Sequence, residues 1–285
     1  MAGPGSAPAI YFLSDYGTAD EFAGVVRAVL QVGAPGTPVV DLTHHVAHFD
    51  VAAGAATLLR AAPYLGRGAV LAVVDPGVGT SRRGVAIRVG GQSGAAGAAG
   101  AANSGPEWWV GPDNGLLIPA VESLGGAAAV HVLHTELGST FDGRDVFAPA
   151  AARLVGGSDP ASLGVEVDPA SLVRLPDLPP DHFEGTVLVT SVAHIDSFGN
   201  AQFHAGPADL DRLEVAVGSR VEVELASGQT LDAKRVEAYG DLGRGEFGML
   251  VDGNGRLALV LDRSSAADHL GLDGGLHPVR LRRSD

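Results

Sequence analysis

The sequence predicts an α/β N-terminal domain, built on a mostly parallel sheet with flanking helices, followed by a C-terminal antiparallel β domain. Three observations carry this. A strand, a polar turn and a helix recur in the first part of the chain. A proline-rich stretch, PDLPPDHFE from Pro176 to Glu184, has three prolines in nine residues, the composition of a linker. Beyond it the apolar runs become short, β-rich and broken by Gly, Asn and Asp. The domains are therefore placed at residues 1–175 and 186–285, with residues 176–185 as the linker.

The elements follow in order. Ala9 to Leu13 is a short apolar strand ending on Ser14-Asp15-Tyr16-Gly17-Thr18. From Asp20 to Leu30, Phe22, Val25, Val26, Val29 and Leu30 recur at helical spacing, and Thr18 with Glu21 reads as a capping box. Pro38 to Leu42 is the next strand, Thr43-His44-His45 a polar turn, and about Asp50 to Ala62 a helix. Ala69 to Val74 is a strand that ends on Asp75. Such alternation suits a parallel sheet covered on both faces, whose ligands bind beyond the carboxyl ends of the strands. Asp15 and Asp75 both stand at such ends, so they are expected to share a site. The glycine-rich stretch Gly90–Gly105 has the composition of a flexible surface loop, not of a phosphate cradle. In the second domain, Val187–Val192, Arg220–Glu224, Phe247–Val251 and Leu257–Leu261 read as strands, with no long helical pattern before Ala266.

Composition narrows the function. The 285 residues are 46% hydrophobic and 18% charged, enough for buried cores and unlike a disordered chain. The formal net charge is −14, which leaves no basic footprint for nucleic acid. There is no cysteine, so disulfides, thiolate metal sites and a cysteine nucleophile are excluded. Residues 1–8 lack the pattern of a signal peptide, and no apolar run approaches the roughly 20 residues of a membrane span. No membrane partner is expected, and the expected compartment is the cytoplasm.

Three clusters could carry chemistry. In Asp75-Pro76-Gly77-Val78-Gly79-Thr80-Ser81-Arg82-Arg83, a strand-end carboxylate is followed seven residues on by a guanidinium. Such a pair can hold a water or a polar substrate group, or it can be a turn with a surface ion pair. In Thr140-Phe141-Asp142-Gly143-Arg144-Asp145, the acids are either catalytic, or a turn residue and a helix cap. In His194-Ile195-Asp196-Ser197-Phe198-Gly199-Asn200, an acid, an aromatic and an amide suit an amine, a flat base and a base edge, or form a plain hairpin. His44, His45 and His48 show no helical metal spacing and read as a surface turn, so no metal is expected.

SDYGT at Ser14–Thr18, VVDPGVGTSRRG at Val73–Gly84, GPDNGL at Gly111–Leu116, TFDGRDVFAP at Thr140–Pro149 and HIDSFGN at His194–Asn200 together resemble the S-adenosylmethionine hydroxide adenosyltransferases, relatives of fluorinase and chlorinase. The motifs occur in the family's order and span both domains. The resemblance implies attack of water or hydroxide on the ribose C5′ of S-adenosylmethionine, giving adenosine and methionine with no cofactor. It implies a homotrimer whose sites combine the N-terminal domain of one subunit with the C-terminal domain of the next. Asp75 and Arg82 match two members of a water-orienting Asp–Arg–His triad. Asp15 matches the acid that binds the ribose hydroxyls, and Asp196 a residue near the methionine amine. Phe198 and Asn200 match adenine-side contacts, and Tyr239 resembles an aromatic that stacks on adenine.

One position departs from the family pattern: Asp142 stands where the motif carries His. An ionised carboxylate only accepts hydrogen bonds, whereas a neutral imidazole accepts and donates. Asp75 and Asp142 would then repel one another, raising one pKa unless Arg82 or Arg144 offsets the charge. Two other functions stay open on this evidence. One is S-adenosylmethionine-dependent halogenation, which Asp75 disfavours by repelling a halide by about 1 kcal/mol in water and more when desolvated. The other is weak or non-catalytic S-adenosylmethionine or adenosine binding, which Asp142 keeps in view.

Overall fold

The computed structural model describes residues 7–90, 105–135, 138–177, 179–273 and 277–284. Most of the glycine-rich stretch expected to be a loop, residues 91–104, lies outside them. The chain forms two units, Met1–Pro176 and Asp177–Asp285.

The first unit is built on seven strands: β1 (Ala9–Ser14), β2 (Val39–Thr43), β3 (Gly68–Val73), β4 (Gly84–Val89), β5 (Trp108–Pro112), β6 (Ala127–Leu133) and β7 (Gly164–Val167). Their order in the sheet is β2-β1-β3-β5-β4-β6-β7. The neighbours β2, β1, β3 and β5 are mutually parallel, while β4 runs antiparallel to both β5 and β6. Alternation along β1 sends Ile10 and Phe12 to one face and Leu13 to the other, so each face carries its own core. Helices α1 (Phe22–Gly33) and α4 (Ala148–Val155) cover the first face, and α2 (Val51–Ala61) and α3 (Ile118–Ser123) the second.

Helix α1 buries Ala23, Val26 and Leu30, as its spacing requires. The expected Thr18–Glu21 capping box does not form. The helix starts at Phe22 with no side-chain cap, and Thr18 Oγ1 lies 3.4 Å from His45 Nε2 instead. The turn after β1 is held by backbone: Gly17 takes a φ of 69° and donates to the His44 carbonyl at 2.7 Å. Helix α2 has a conventional start, with the Asp50 carboxylate accepting from the Ala53 amide.

The second unit holds β8 (His182–Glu184), β9 (Val187–Ile195), β10 (Ala201–Phe203), β11 (Arg220–Leu225), β12 (Thr230–Arg235), β13 (Phe247–Val251), β14 (Leu257–Leu261) and β15 (Pro278–Arg283). Part of the segment read as linker is thus an edge strand, β8, paired with β9. The order is β10-β14-β13-β12-β11-β15-β9-β8, and β10 also pairs with β9, which closes the sheet into a barrel. The pairing is antiparallel apart from β12 with β13. Two short helices, α5 (Pro207–Arg212) and α6 (Ala266–Leu270), add Leu210 and Leu270 to the barrel core.

Candidate active site

The loop from Asp75 to Arg83 joins β3 to β4. Its glycines let the backbone double back: Gly79 has a φ of 77°, and the Thr80 hydroxyl donates to the Gly77 carbonyl at 2.6 Å. The fold-back returns Arg82 to Asp75. Arg82 Nε donates to Asp75 Oδ1 at 3.0 Å and Nη2 donates to Oδ2, a two-pronged pair. The Gly77 amide also donates to Asp75 Oδ1, at 3.1 Å.

Asp142 arrives from a different part of the chain. It precedes a single wide helical turn, Gly143–Phe147, that leads into α4. Such π-type turns re-aim side chains and are frequent at functional sites. Arg82 Nη2 donates to Asp142 Oδ2 at 2.6 Å, so one guanidinium bridges both carboxylates. The side chains of Asp75, Arg82 and Asp142 are all buried, and the Arg82 guanidinium packs 5.2 Å from the Phe147 ring centroid. Among the described residues, the buried Asp142 Oδ1 and Arg82 Nη1 have no hydrogen-bond partner, and Asp142 is the one of the two that lines the adjoining cavity.

The offset expected from Arg82 or Arg144 comes from Arg82. Arg144 instead pairs with Asp145 at 2.6 Å and lies over the Phe141 ring. Asp145 therefore neither caps the helix nor reaches the buried cluster. Burial raises the Asp75 pKa above its ordinary value of 3.8. Arg82 and the Gly77 amide oppose the shift, and Asp142 adds to it.

Asp75 and Asp142 line a cavity of about 260 Å³, together with Asp15, Tyr16, Phe49 and Phe141. The two strand-end acids expected to meet, Asp15 and Asp75, do share it. Asp15 Oδ2 accepts from the Phe49 amide at 2.9 Å, and Phe49 sits at a φ of 65°, a left-handed conformation rare for a bulky residue. Burial, then the Asp15, Asp75 and Asp142 carboxylates, push the Tyr16 phenol above its ordinary range, so it stays neutral. Gly143 packs against it, and a Cβ there would overlap the Tyr16 hydroxyl.

His44 is not a surface residue as expected. It is buried, its Nδ1 lies 2.8 Å from Ser14 Oγ, and its ring packs edge-on to Phe12. It braces the turn that carries Asp15. His48 lines the cavity.

The second unit gathers the other expected residues. Asn200 Nδ2 donates to Asp196 Oδ2 at 2.8 Å and to the Tyr239 hydroxyl at 3.1 Å. Asp196 Oδ1 accepts from the Phe198 and Asn200 amides, so Asp196 organises the turn it sits in. Phe198 and Tyr239 are 78% and 50% exposed, leaving aromatic faces for a flat ligand. Burial, then Asp196, raises the Tyr239 pKa.

Models of the SAM hydroxide adenosyltransferase N-terminal and C-terminal domains (SAM being S-adenosylmethionine) match residues 10–164 and 190–277. The chain belongs to the SAM hydroxide adenosyltransferase family. Relatives in this family include an (R)-S-adenosyl-L-methionine hydrolase of Salinispora tropica, 41% identical over 94% of this chain and 95% of that one. A hydrolase of the same name from Thermus thermophilus is 39% identical over 95% of this chain and 98% of its own. A fluorinase of an Actinoplanes species is more distant, 28% identical over 94% of this chain and 96% of its own. The crystal structure of a conserved protein of Thermotoga maritima superposes with a TM-score of 0.82 at 27% identity, covering 96% of this chain and all of that one. Within the SAM hydroxide adenosyltransferase fold, three of the four motifs of the first unit, SDYGT, DPGVGTSRR and TFDGRD, converge on one cavity.

Proposed function

We propose that this chain hydrolyses S-adenosylmethionine to adenosine and methionine. The observation that carries the reading is the buried Asp75–Arg82–Asp142 cluster, whose two carboxylates line the cavity while Arg82 bridges them from behind. A water held by Asp75 and Asp142 attacks the ribose C5′. The C5′–O bond forms as the C5′–S bond breaks, sulfur keeps the electron pair as methionine's neutral thioether, and the water's proton passes to a carboxylate and then to solvent. Catalysis is then orientation of the nucleophile and exclusion of other solvent. The carboxylates and the aromatic rings of Tyr16, Phe49 and Phe141 suit the sulfonium cation. The reaction as written needs no cofactor and no metal.

Asp15 fits the ribose hydroxyls, Asp196 the methionine amine, and Asn200, Phe198 and Tyr239 the adenine. We place the active form as a homotrimer in which such contacts come from two subunits. The exposed aromatic faces of Phe198 and Tyr239 support this reading. Because the hydrolase relatives are named for the (R)-sulfonium form, both sulfonium epimers are the substrates to test. Adenosine release from each, with and without fluoride or chloride, is the experiment. Adenosine at a rate independent of halide supports hydrolysis. A 5′-halogenated nucleoside, or tight binding with no product, would replace it with one of the two other functions.

A further inference from the structure

The motif GPDNGL contributes no residue to the cavity, yet it carries Asp113, a carboxylate whose side chain is only 2% exposed. A buried carboxylate is unfavourable unless its oxygens are paired, and here both are. Asp113 Oδ2 accepts from Arg83 Nε at 2.8 Å and from Nη2, while Oδ1 accepts from the Val173 amide at 2.9 Å. The Asp113 amide donates to the Arg83 carbonyl at 2.9 Å. Next to it, Asn114 Nδ2 donates to the Val74 carbonyl at 2.9 Å, and Asn114 Oδ1 accepts from the Leu116 amide at 3.2 Å.

Sheet topology explains the meeting. The loop of residues 74–83 leaves β3 and enters β4, which lie on either side of β5. β3 is parallel to β5, so its carboxyl end stands beside that of β5. β4 is antiparallel to β5, and its first residue, Gly84, pairs with Pro112. Both feet of the loop therefore stand beside the turn that follows Pro112, and that turn is Asp113-Asn114. The two residues gripped are Val74 and Arg83, the immediate chain neighbours of Asp75 and Arg82.

We propose that Asp113 and Asn114 are positioning residues that clamp the two feet of the Asp75–Arg82 loop and so set the geometry of the Asp75–Arg82 pair. The inference rests on the hydrolase reading for its kinetic consequence. Displacement of a reacting group by about 1 Å can cost on the order of 100-fold in rate. Asn114→Ala removes the grip on Val74, and Arg83→Lys keeps the charge but loses the two-pronged fit to Asp113. Arg83 is a third exposed, which makes this variant the one that tolerates replacement if Asn114→Ala fails to fold.

The experiment measures kcat and KM for adenosine release, and the titration of the Asp75 carboxyl by carbon-13 NMR, in the wild-type chain, Asn114→Ala, Arg83→Lys and Asp75→Asn. Both clamp variants are expected to lose about 10- to 100-fold in kcat with KM within about threefold. In both, the Asp75 midpoint is expected to move upward, because a loosened Arg82 opposes the effect of burial less. A folded Asn114→Ala or Arg83→Lys with wild-type kcat and an unmoved Asp75 midpoint overturns the clamp. So does a loss of kcat with an unmoved midpoint, which a merely structural role would give. A wild-type chain that releases no adenosine overturns the hydrolase reading instead, and the Asp75 titration still decides the clamp without any turnover.

Discussion

Arg82 Nη2 donates to Asp142 Oδ2 at 2.6 Å while the same guanidinium grips Asp75, so two carboxylates 67 positions apart in sequence share one counter-charge. The cluster's formal charge is therefore −1, which favours a sulfonium and disfavours a halide.

Asp75→Asn keeps the shape of the side chain but weakens its basicity. Turnover is expected to fall by about 100- to 10,000-fold, the usual range for a lost general base, with KM changed by less than about threefold. Steady-state adenosine release measures both, and full turnover in this variant would remove Asp75 from the reaction.

The pH profile follows from burial. Asp75 must be ionised to accept from water, and its folded-state pKa is raised above 3.8, so the ionised fraction grows as pH rises through a window above that value. The acid limb of kcat is expected to lie above the ordinary aspartate range. Asp142 contributes to the upward shift, so Asp142→Asn should move the limb to lower pH. The profile, measured in both chains, tests the sign.

Asp142→His restores the group that the family motif carries. Imidazole is ordinarily a better base near neutrality than a carboxylate, and it leaves Arg82 with Asp75 as its single negative partner. Turnover at neutral pH is expected to rise, with affinity changed by less than about tenfold. Equal or lower turnover across a pH series would show that Asp142 is the better solution in this site.

Gly143→Ala tests the packing that seats Tyr16. The added Cβ would overlap the Tyr16 hydroxyl, and overpacking of this kind costs about 1–3 kcal/mol. The thermal midpoint should drop and adenosine release should fall with it. An unchanged midpoint would mean that the Tyr16 ring moves aside freely.

Much of the first unit was legible because β1, α1 and β3 carry large apolar residues at clear periods. β6 is not: Ala127-Ala128-Ala129 shows no contrast between its faces. In the barrel, β12 (TLDAKR) and β15 (PVRLRR) alternate apolar and charged residues, but their charge hid the strand signal. β8 and β10, at three residues each, were too short to register. In the site, Asp15 and Asp75 were readable from strand ends. Asp142 was readable only through its motif, because a wide helical turn and a long-range bond to Arg82 place it. His44 and Phe49 carried no local signal for their roles, which depend on partners 30 and 34 positions away, and Asp113 was marked only as part of GPDNGL, its role set by Arg83 30 positions away.

The central claim is that water is the nucleophile at ribose C5′. Incubating the chain with S-adenosylmethionine in oxygen-18 water, followed by mass spectrometry of both products, tests it directly. The account predicts one oxygen-18 atom in adenosine, at the 5′-hydroxyl, and none in methionine; unlabelled adenosine, or no adenosine from either sulfonium epimer, would contradict it.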